Sequence, residues 1–219
     1  LQKEYNATFI HPFNDYDVMA GQGTLAIEML RDQPDLDMLL IQAGGGGLIA
    51  GVATAAKAIN PKVKVIGVQA EGAPAIYESF HQPEIHASKN VSTIADGIAV
   101  KTPGDLTMEL INRYVDQMVV VGDDDIASTI MLLLERSKQV VEPSGAITLA
   151  AALAGKVDVK GKKVGVLLSG GNIDVSFIDK VVQKGLVSRG RQLELKTIMP
   201  DIPGSLEQMC RILSTHNAN

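Results

Sequence analysis

Tryptophan is absent from these 219 residues, and four Phe and four Tyr make up the whole aromatic complement, 4% of the chain. Any core must therefore be packed mainly from aliphatic side chains, which the 46% share of hydrophobic residues supplies. Cysteine occurs once, at Cys210. That excludes an internal disulfide framework and fits a reducing cytoplasm as the expected location. Cys210 falls in a predicted amphipathic helix, where a packed, inert thiol is expected. No window holds about 18 uninterrupted apolar residues, so no membrane-spanning helix is expected. The sequence from Leu1 does not read as a signal peptide either. Positive charge is also short: 20 Lys and Arg stand against 25 Asp and Glu, a formal net charge of −5. A nucleic acid or an anionic membrane is not the expected partner of such a balance. Two phosphate-binding signatures are missing as well, the GxGxxG dinucleotide fingerprint and a glycine run closed by Gly-Lys-Ser/Thr.

Glycine, by contrast, is abundant at 21 residues, and it gathers where predicted strands meet predicted helices. The most informative segment is Gln42-Ala43-Gly44-Gly45-Gly46-Gly47-Leu48. Residues 38–41 before it read as a buried parallel strand. Residues 48–60 after it read as an Ala-rich helix. Four glycines in that position leave a loop with almost no side chains. Its backbone N–H groups, together with the positive end of the helix, can cradle an anion such as a phosphate. A merely flexible turn is the alternative, although ordering four glycines is entropically costly.

The rest of the chain repeats the strand-then-helix theme. Residues 7–10 read as a short strand and 11–16 as a polar loop. Asp17 is a candidate cap for a helix to about Asp32, whose internal Gly21 and Gly23 suggest close packing or ligand approach. Further strands are expected at 63–68, 115–121 and 163–168. Helices are expected from the acidic run Asp123-Asp124-Asp125 to Gln139, from Pro143 to Gly155, and up to about Gly185. Three acids there suit the positive end of a helix dipole better than a metal. Such β-α-β-α order predicts an α/β fold, an open and mostly parallel sheet with helices on both faces. Ligands in such sheets sit beyond the carboxyl ends of the strands, where the turns 44–47 and 169–172 both fall. From Ser188 to Arg191 the composition becomes that of a linker. Residues 192–199 then read as a strand and 206–215 as an amphipathic helix, a βα piece too small to fold alone.

Five ordered segments carry a specific resemblance: 20–24 (Ala-Gly-Gln-Gly-Thr), 44–48, 93–97 (Thr-Ile-Ala-Asp-Gly), 141–146 (Val-Glu-Pro-Ser-Gly-Ala) and 168–172 (Leu-Ser-Gly-Gly-Asn). With these, residues 1–187 resemble the later, larger part of a fold-type-II pyridoxal-phosphate enzyme. The threonine ammonia-lyase (threonine dehydratase) and serine racemase branch is the nearest. The fold so implied is that of the tryptophan-synthase β family. Residues 192–219, with Asp201-Ile202-Pro203-Gly204-Ser205-Leu206, resemble the start of an ACT module, a small amino-acid-binding regulatory domain. Residues 188–191 are then the linker between the two.

The resemblance implies that Gly44, Gly45, Gly46, Gly47 and Leu48 hold the phosphate of pyridoxal 5'-phosphate and that Ser169 hydrogen-bonds the pyridine nitrogen. A neutral hydroxyl there leaves the ring a weaker electron sink than an aspartate would, which suits elimination of a β-hydroxyl. Glu142 and Gly97 are further candidates beside the cofactor, with an ordinary junction glutamate as the alternative for Glu142. Asp96 is expected to shape the loop. A divalent cation of some relatives would fall at 69–75, where Gln69 and Ala75 replace the expected carboxylates. Despite Glu71, no metal is expected there. The family's Schiff-base lysine motif and its substrate-carboxylate motif do not occur in the sequence, and lysines such as Lys57 read as structural. The expectation is therefore that this chain holds no catalytic residue, and that both ends are cut from a longer enzyme that converts threonine, with serine as a second substrate, to a 2-oxoacid and ammonia. A small amino-acid substrate, an amino-acid effector and a homo-oligomer go with that reading. Serine racemase or serine ammonia-lyase activity stays open. So does a non-catalytic amino-acid-binding regulator, supported by the tail. A nucleotide-binding protein is disfavoured by the missing GxGxxG.

Overall fold

The computed structural model describes residues 2–193 and 195–216. It begins with a short helix α1 (Gln2–Tyr5), followed by α2 (Tyr16–Asp32), β1 (Met38–Gln42), α3 (Gly47–Ile59), β2 (Lys64–Ala70) and α4 (Ala75–Ser79). A 3-10 turn (Asp96–Ile98), α5 (Asp105–Tyr114), β3 (Gln117–Val121) and α6 (Asp123–Arg136) come next. The described chain closes with α7 (Pro143–Leu153), β4 (Val164–Val166), α8 (Val175–Ser188) and α9 (Ser205–Thr215).

The four strands form one parallel sheet in the order β3-β2-β1-β4, with Leu40 of β1 opposite both Ile66 and Val166. Every residue of β1 is buried. Alternate side chains serve opposite faces, as the two-residue period of a strand requires. Met38 and Leu40 join an aliphatic cluster with Val68, Ile126 and Ile147, under α6 and α7. Leu39 and Ile41 join a second cluster with Met19, Ile49 and Ile111, under α2, α3 and α5. A strand apolar on both faces is the mark of a sheet covered by helices on both sides, and that is the architecture the sequence predicts. The two clusters contain no aromatic residue among their fully buried members, in keeping with the aliphatic composition.

Helix α2 lies against α3 through facing glycines. A Cβ on Gly23 would stand 3.0 Å from the Gly51 carbonyl oxygen, so close packing is the reason for Gly23, whereas Gly21 faces open space. The cap of α2 is Asp15 rather than Asp17: its Oδ1 accepts from Asp17 N at 2.8 Å and Val18 N at 3.3 Å.

Other expectations are corrected. Residues 7–10 form no strand, and no described strand pairs with them. Phe9 and Ile10 are 67% and 64% exposed. The described residues among 192–199 are likewise unpaired coil, with Leu193 and Ile198 exposed, while residue 194 lies outside the described residues. Alternating side chains mark a strand only where a neighbour supplies backbone partners. Helix α9 forms, but none of its residues is fully buried, and Cys210 on it is exposed rather than packed. The acidic run occupies the first turn of α6 after Gly122, and Asp123 has a more particular task than a cap. Its carboxylate accepts from Thr93 Oγ1 at 2.6 Å and from Ile94 N at 3.1 Å, tying down the segment before the 3-10 turn. Among the described residues no helix is long and apolar enough to cross a membrane.

Candidate functional site

Beyond the carboxyl ends of β1 and β4 lies a cavity of about 330 Å³. Its wall includes Gly44, Gly45, Gly46, Gly47 and Leu48 from the turn after β1, Gly97 from the 3-10 turn, Glu142 at the start of α7, and Ser169 after β4. Every residue singled out from the sequence for this role is therefore in one place.

The glycine turn is held by its own chain as well as left open to a ligand. A Cβ on Gly44 would stand 3.0 Å from Ile98 Cα, and one on Gly47 would stand 2.9 Å from Phe13 Cα. One on Gly45 would overlap the Phe13 ring, and one on Gly46, whose φ is +101°, would press on Thr107 Oγ1 at 2.6 Å. Thus a side chain at Gly45 acts first through Phe13, not by direct obstruction of an anion. Thr107, fully buried, donates its hydroxyl toward the carbonyls of Gly45 and Gly104, each at 2.9 Å. Gly104 N donates to the same Gly45 oxygen at 3.3 Å. With that carbonyl engaged, Gly46 serves as the N-cap of α3 and no side chain caps the helix. The first-turn N–H groups of such a helix have no intrahelical acceptor and carry the positive end of its dipole.

Opposite them, the turn that carries Ser169 is anchored residue by residue. Thr148 Oγ1 donates to the Leu167 carbonyl at 2.7 Å. Glu142 N donates to the Gly170 carbonyl at 3.2 Å, and Glu142 Oε2 accepts from Asn172 N at 2.9 Å. Gly145 leaves room for the Ser169 carbonyl, which a Cβ at that position would overlap. Gln42, at the end of β1 and 5% exposed, donates from Nε2 to Ser169 Oγ. Two buried polar atoms of this wall, Gln42 Oε1 and Ser144 Oγ, have no hydrogen-bond partner.

Glu142 stands at the N-cap of α7, not at the end of a preceding helix. Burial pushes its carboxyl above the ordinary value of 4.5; the Asn172 N–H opposes this and Asp96 adds to it. The native state therefore holds this proton to higher pH than the unfolded chain, and stability falls as pH rises above 4.5 through the native range. Glu142→Gln is expected to differ little from the wild type at low pH and to gain on it as pH rises. Urea unfolding midpoints of both proteins from acid to neutral pH check this; a gap that does not change with pH contradicts it. Asp96 shapes the 3-10 turn by accepting from Gly97 N at 2.8 Å.

Among the described residues no lysine lines the cavity. Lys57 is engaged structurally, 2.7 Å from Asp116 Oδ2 and donating to the Val63 carbonyl at 2.8 Å. Gln69 is fully buried, its Oε1 accepting from Tyr77 N at 2.7 Å. Among the described residues no group of three or more His, Cys, Asp or Glu could hold a metal ion. A wider cleft of about 840 Å³ lies near Glu71, His86 and Lys89, but neither strand-end glycine turn reaches it.

Sequence reasoning missed Gln42, Ser144, Phe13 and Thr107. Gln42 had a local signal, a polar residue closing an apolar strand just before the glycines. Thr107 had none, because 62 residues separate it from Gly45.

Residues 1–170 match the family described as pyridoxal-phosphate dependent enzyme. The chain is 48% identical over all of its 219 residues to an L-threonine ammonia-lyase of Thermotoga maritima, covering 54% of that protein. It is 43% identical over 175 residues to the catabolic L-threonine dehydratase of Escherichia coli, covering 79% of this chain and 53% of that one. Among solved structures, a processed threonine deaminase isoform 2 from Solanum lycopersicum superposes with a TM-score of 0.79 at 36% identity, over 84% of this chain and 54% of that one. A serine racemase from Dictyostelium discoideum superposes with a TM-score of 0.73 at 39% identity, over 80% and 56%. The chain thus spans about half the length of the curated relatives it matches. With its parallel sheet and its glycine turn beyond the strand ends, the chain belongs to the pyridoxal-phosphate-dependent enzyme family.

Proposed function

We propose that this chain forms the phosphate cradle and the ring-nitrogen contact of a threonine ammonia-lyase, which converts L-threonine to 2-oxobutanoate and ammonia and accepts L-serine as a second substrate. The observation that carries this reading is the match of the entire chain to a protein named L-threonine ammonia-lyase. The cavity supports it. Pyridoxal phosphate brings an anion, a pyridine nitrogen and a conjugated ring that draws electron density from a substrate's α-carbon. The residues present fit that group: the first-turn N–H groups of α3 at Gly47 and Leu48, which no side chain caps, a hydroxyl at Ser169, and the buried Gln42 Oε1 and Ser144 Oγ, unpartnered among the described residues.

In this reading the α3 N-terminus would hold the phosphate dianion and Ser169 would donate to the ring nitrogen. Glu142 and Gly97, in the same cavity wall, would lie beside the cofactor. The lysine that forms the Schiff base belongs to polypeptide outside these residues. Residues 192–219 begin an ACT-like module, tied by 188–191 to a catalytic region ending near 187, and an amino-acid effector binds there. The protein works in the cytoplasm as a homo-oligomer, without a metal at 69–75.

Borohydride reduction of the purified protein with pyridoxal phosphate, followed by peptide mass spectrometry, tests the division of labour. Scattered, sub-stoichiometric labelling of surface lysines is expected. Near-unit labelling of one lysine within 1–219 would place the Schiff-base residue here and refute it. For the reaction itself, the enzyme completed by its lysine-bearing segment should release 2-oxobutanoate from threonine faster than pyruvate from serine; no release from either substrate would refute the assignment.

A further inference from the structure

We propose that Gln42 is a positioning residue that fixes the direction of the Ser169 hydroxyl proton and thereby keeps a pyridine nitrogen bound at Ser169 unprotonated. The inference rests on the reading of the cavity given above.

A serine hydroxyl has one proton and two acceptor lone pairs, so it can meet a neighbour as donor or as acceptor. Gln42 removes that freedom. Its Nε2 donates to Ser169 Oγ, and an amide N–H has no lone pair with which to take a proton back. Ser169 Oγ makes no other side-chain hydrogen bond among the described residues, so its proton remains for an acceptor in the cavity. The donated bond also polarises the O–H, making it a stronger donor and a weaker acceptor. An unprotonated pyridine nitrogen asks for a donor at this point, and a protonated one asks for an acceptor. The amide therefore selects the unprotonated ring.

Both partners are held independently, so the selection is built in rather than incidental. Gln42 is 5% exposed and lies on β1 in register with Val68 of β2. Ser169 lies between Leu167, anchored by Thr148, and Gly170, anchored by Glu142 N. The remaining amide oxygen, Gln42 Oε1, is buried without a partner in the wall of the same cavity. It offers a second acceptor to whatever group is bound.

The test uses pyridoxal phosphate labelled with nitrogen-15 in the ring and follows that nitrogen by NMR across pH in the loaded protein. Wild type is expected to show an unprotonated nitrogen through the neutral range. In Gln42→Glu the carboxylate accepts a hydrogen bond from the Ser169 hydroxyl, which turns a lone pair to the ring, so the resonance should move toward the pyridinium position. Gln42→Leu adds no charge; there the nitrogen should begin to protonate at higher pH than in wild type, with cofactor affinity lowered about fivefold, the scale of one hydrogen bond. Unchanged titration in both loaded variants, with Ser169→Ala still shifting the nitrogen, overturns the role of Gln42 and leaves the cavity reading standing. If Ser169→Ala also changes nothing, or wild type takes up no cofactor, the cavity reading fails and the inference fails with it.

Discussion

Gly145→Ala is expected to cost about 3 kcal/mol of stability, at the upper end of what overpacking a close contact usually costs, and to weaken cofactor uptake at least tenfold. Gly145 sits in the first turn of α7, and the space where its Cβ would go is filled by the Ser169 carbonyl oxygen. Ser169 would have to retreat by about 2 Å to reach an ordinary contact distance. Its hydroxyl would then leave Gln42 and the cavity wall, so one methyl group strikes fold and site together. Thermal melting should show a fall of roughly 10 °C for a chain of this size. Gly171→Ala, in the turn that carries Ser169, is the control, because a Cβ there meets nothing within 4 Å. A Gly145→Ala protein that melts and binds like the control would contradict the packing described.

Gly51→Ala should be comparably disruptive for a different reason. Its Cβ would overlap the Met19 carbonyl oxygen and stand 2.9 Å from Gly23 N, where α2 and α3 cross. Both neighbours are backbone, so no rotamer change relieves the clash. The two helices must separate, and Met19, Ile49 and Val52 lose contacts in the second core cluster. A loss of about 3 kcal/mol is expected even after the roughly 1 kcal/mol gained by replacing a helical glycine. Gly21→Ala, one helical position in α2 that faces open space, should instead stabilise by about 0.5–1 kcal/mol. Denaturant midpoints of the two variants should therefore move in opposite directions. Movement in the same direction would show that helix propensity, not the close approach of α2 and α3, governs these sites.

These contrasts show where the sequence is informative. Residues 38–41 announce themselves as a doubly buried strand because both faces of a parallel sheet need apolar side chains, and the glycines after Gln42 and Ala43 mark its end. Local patterning misleads at 7–10 and 192–199. Both stretches read as strands, but no described strand lies alongside to complete the backbone hydrogen bonds. Gly21 and Gly23 look alike in sequence, and only the facing Gly51 separates the one that packs from the one that does not. In the site, the glycine turn and Ser169 are legible because each lies in a short local motif. Gln42 acts on Ser169 across 127 residues, and Thr107 on Gly45 across 62, and pairings at that range are created by the sheet order rather than by any local pattern. The reason for the four glycines is also broader than anion approach, since Phe13, Ile98 and Thr107 already occupy the space their side chains would need.

In the proposed function the turn at 44–48 and the start of α3 hold the phosphate of pyridoxal phosphate through backbone N–H groups. The phosphorus-31 resonance of the bound cofactor, followed from about pH 6 to 8 across the second ionisation of a phosphate ester, tests it most directly. Held by unsatisfied N–H groups at the positive end of a helix, the phosphate should stay dianionic and its resonance should stay fixed over that range. A resonance that titrates as it does for free pyridoxal phosphate would place the phosphate in solvent and contradict the account.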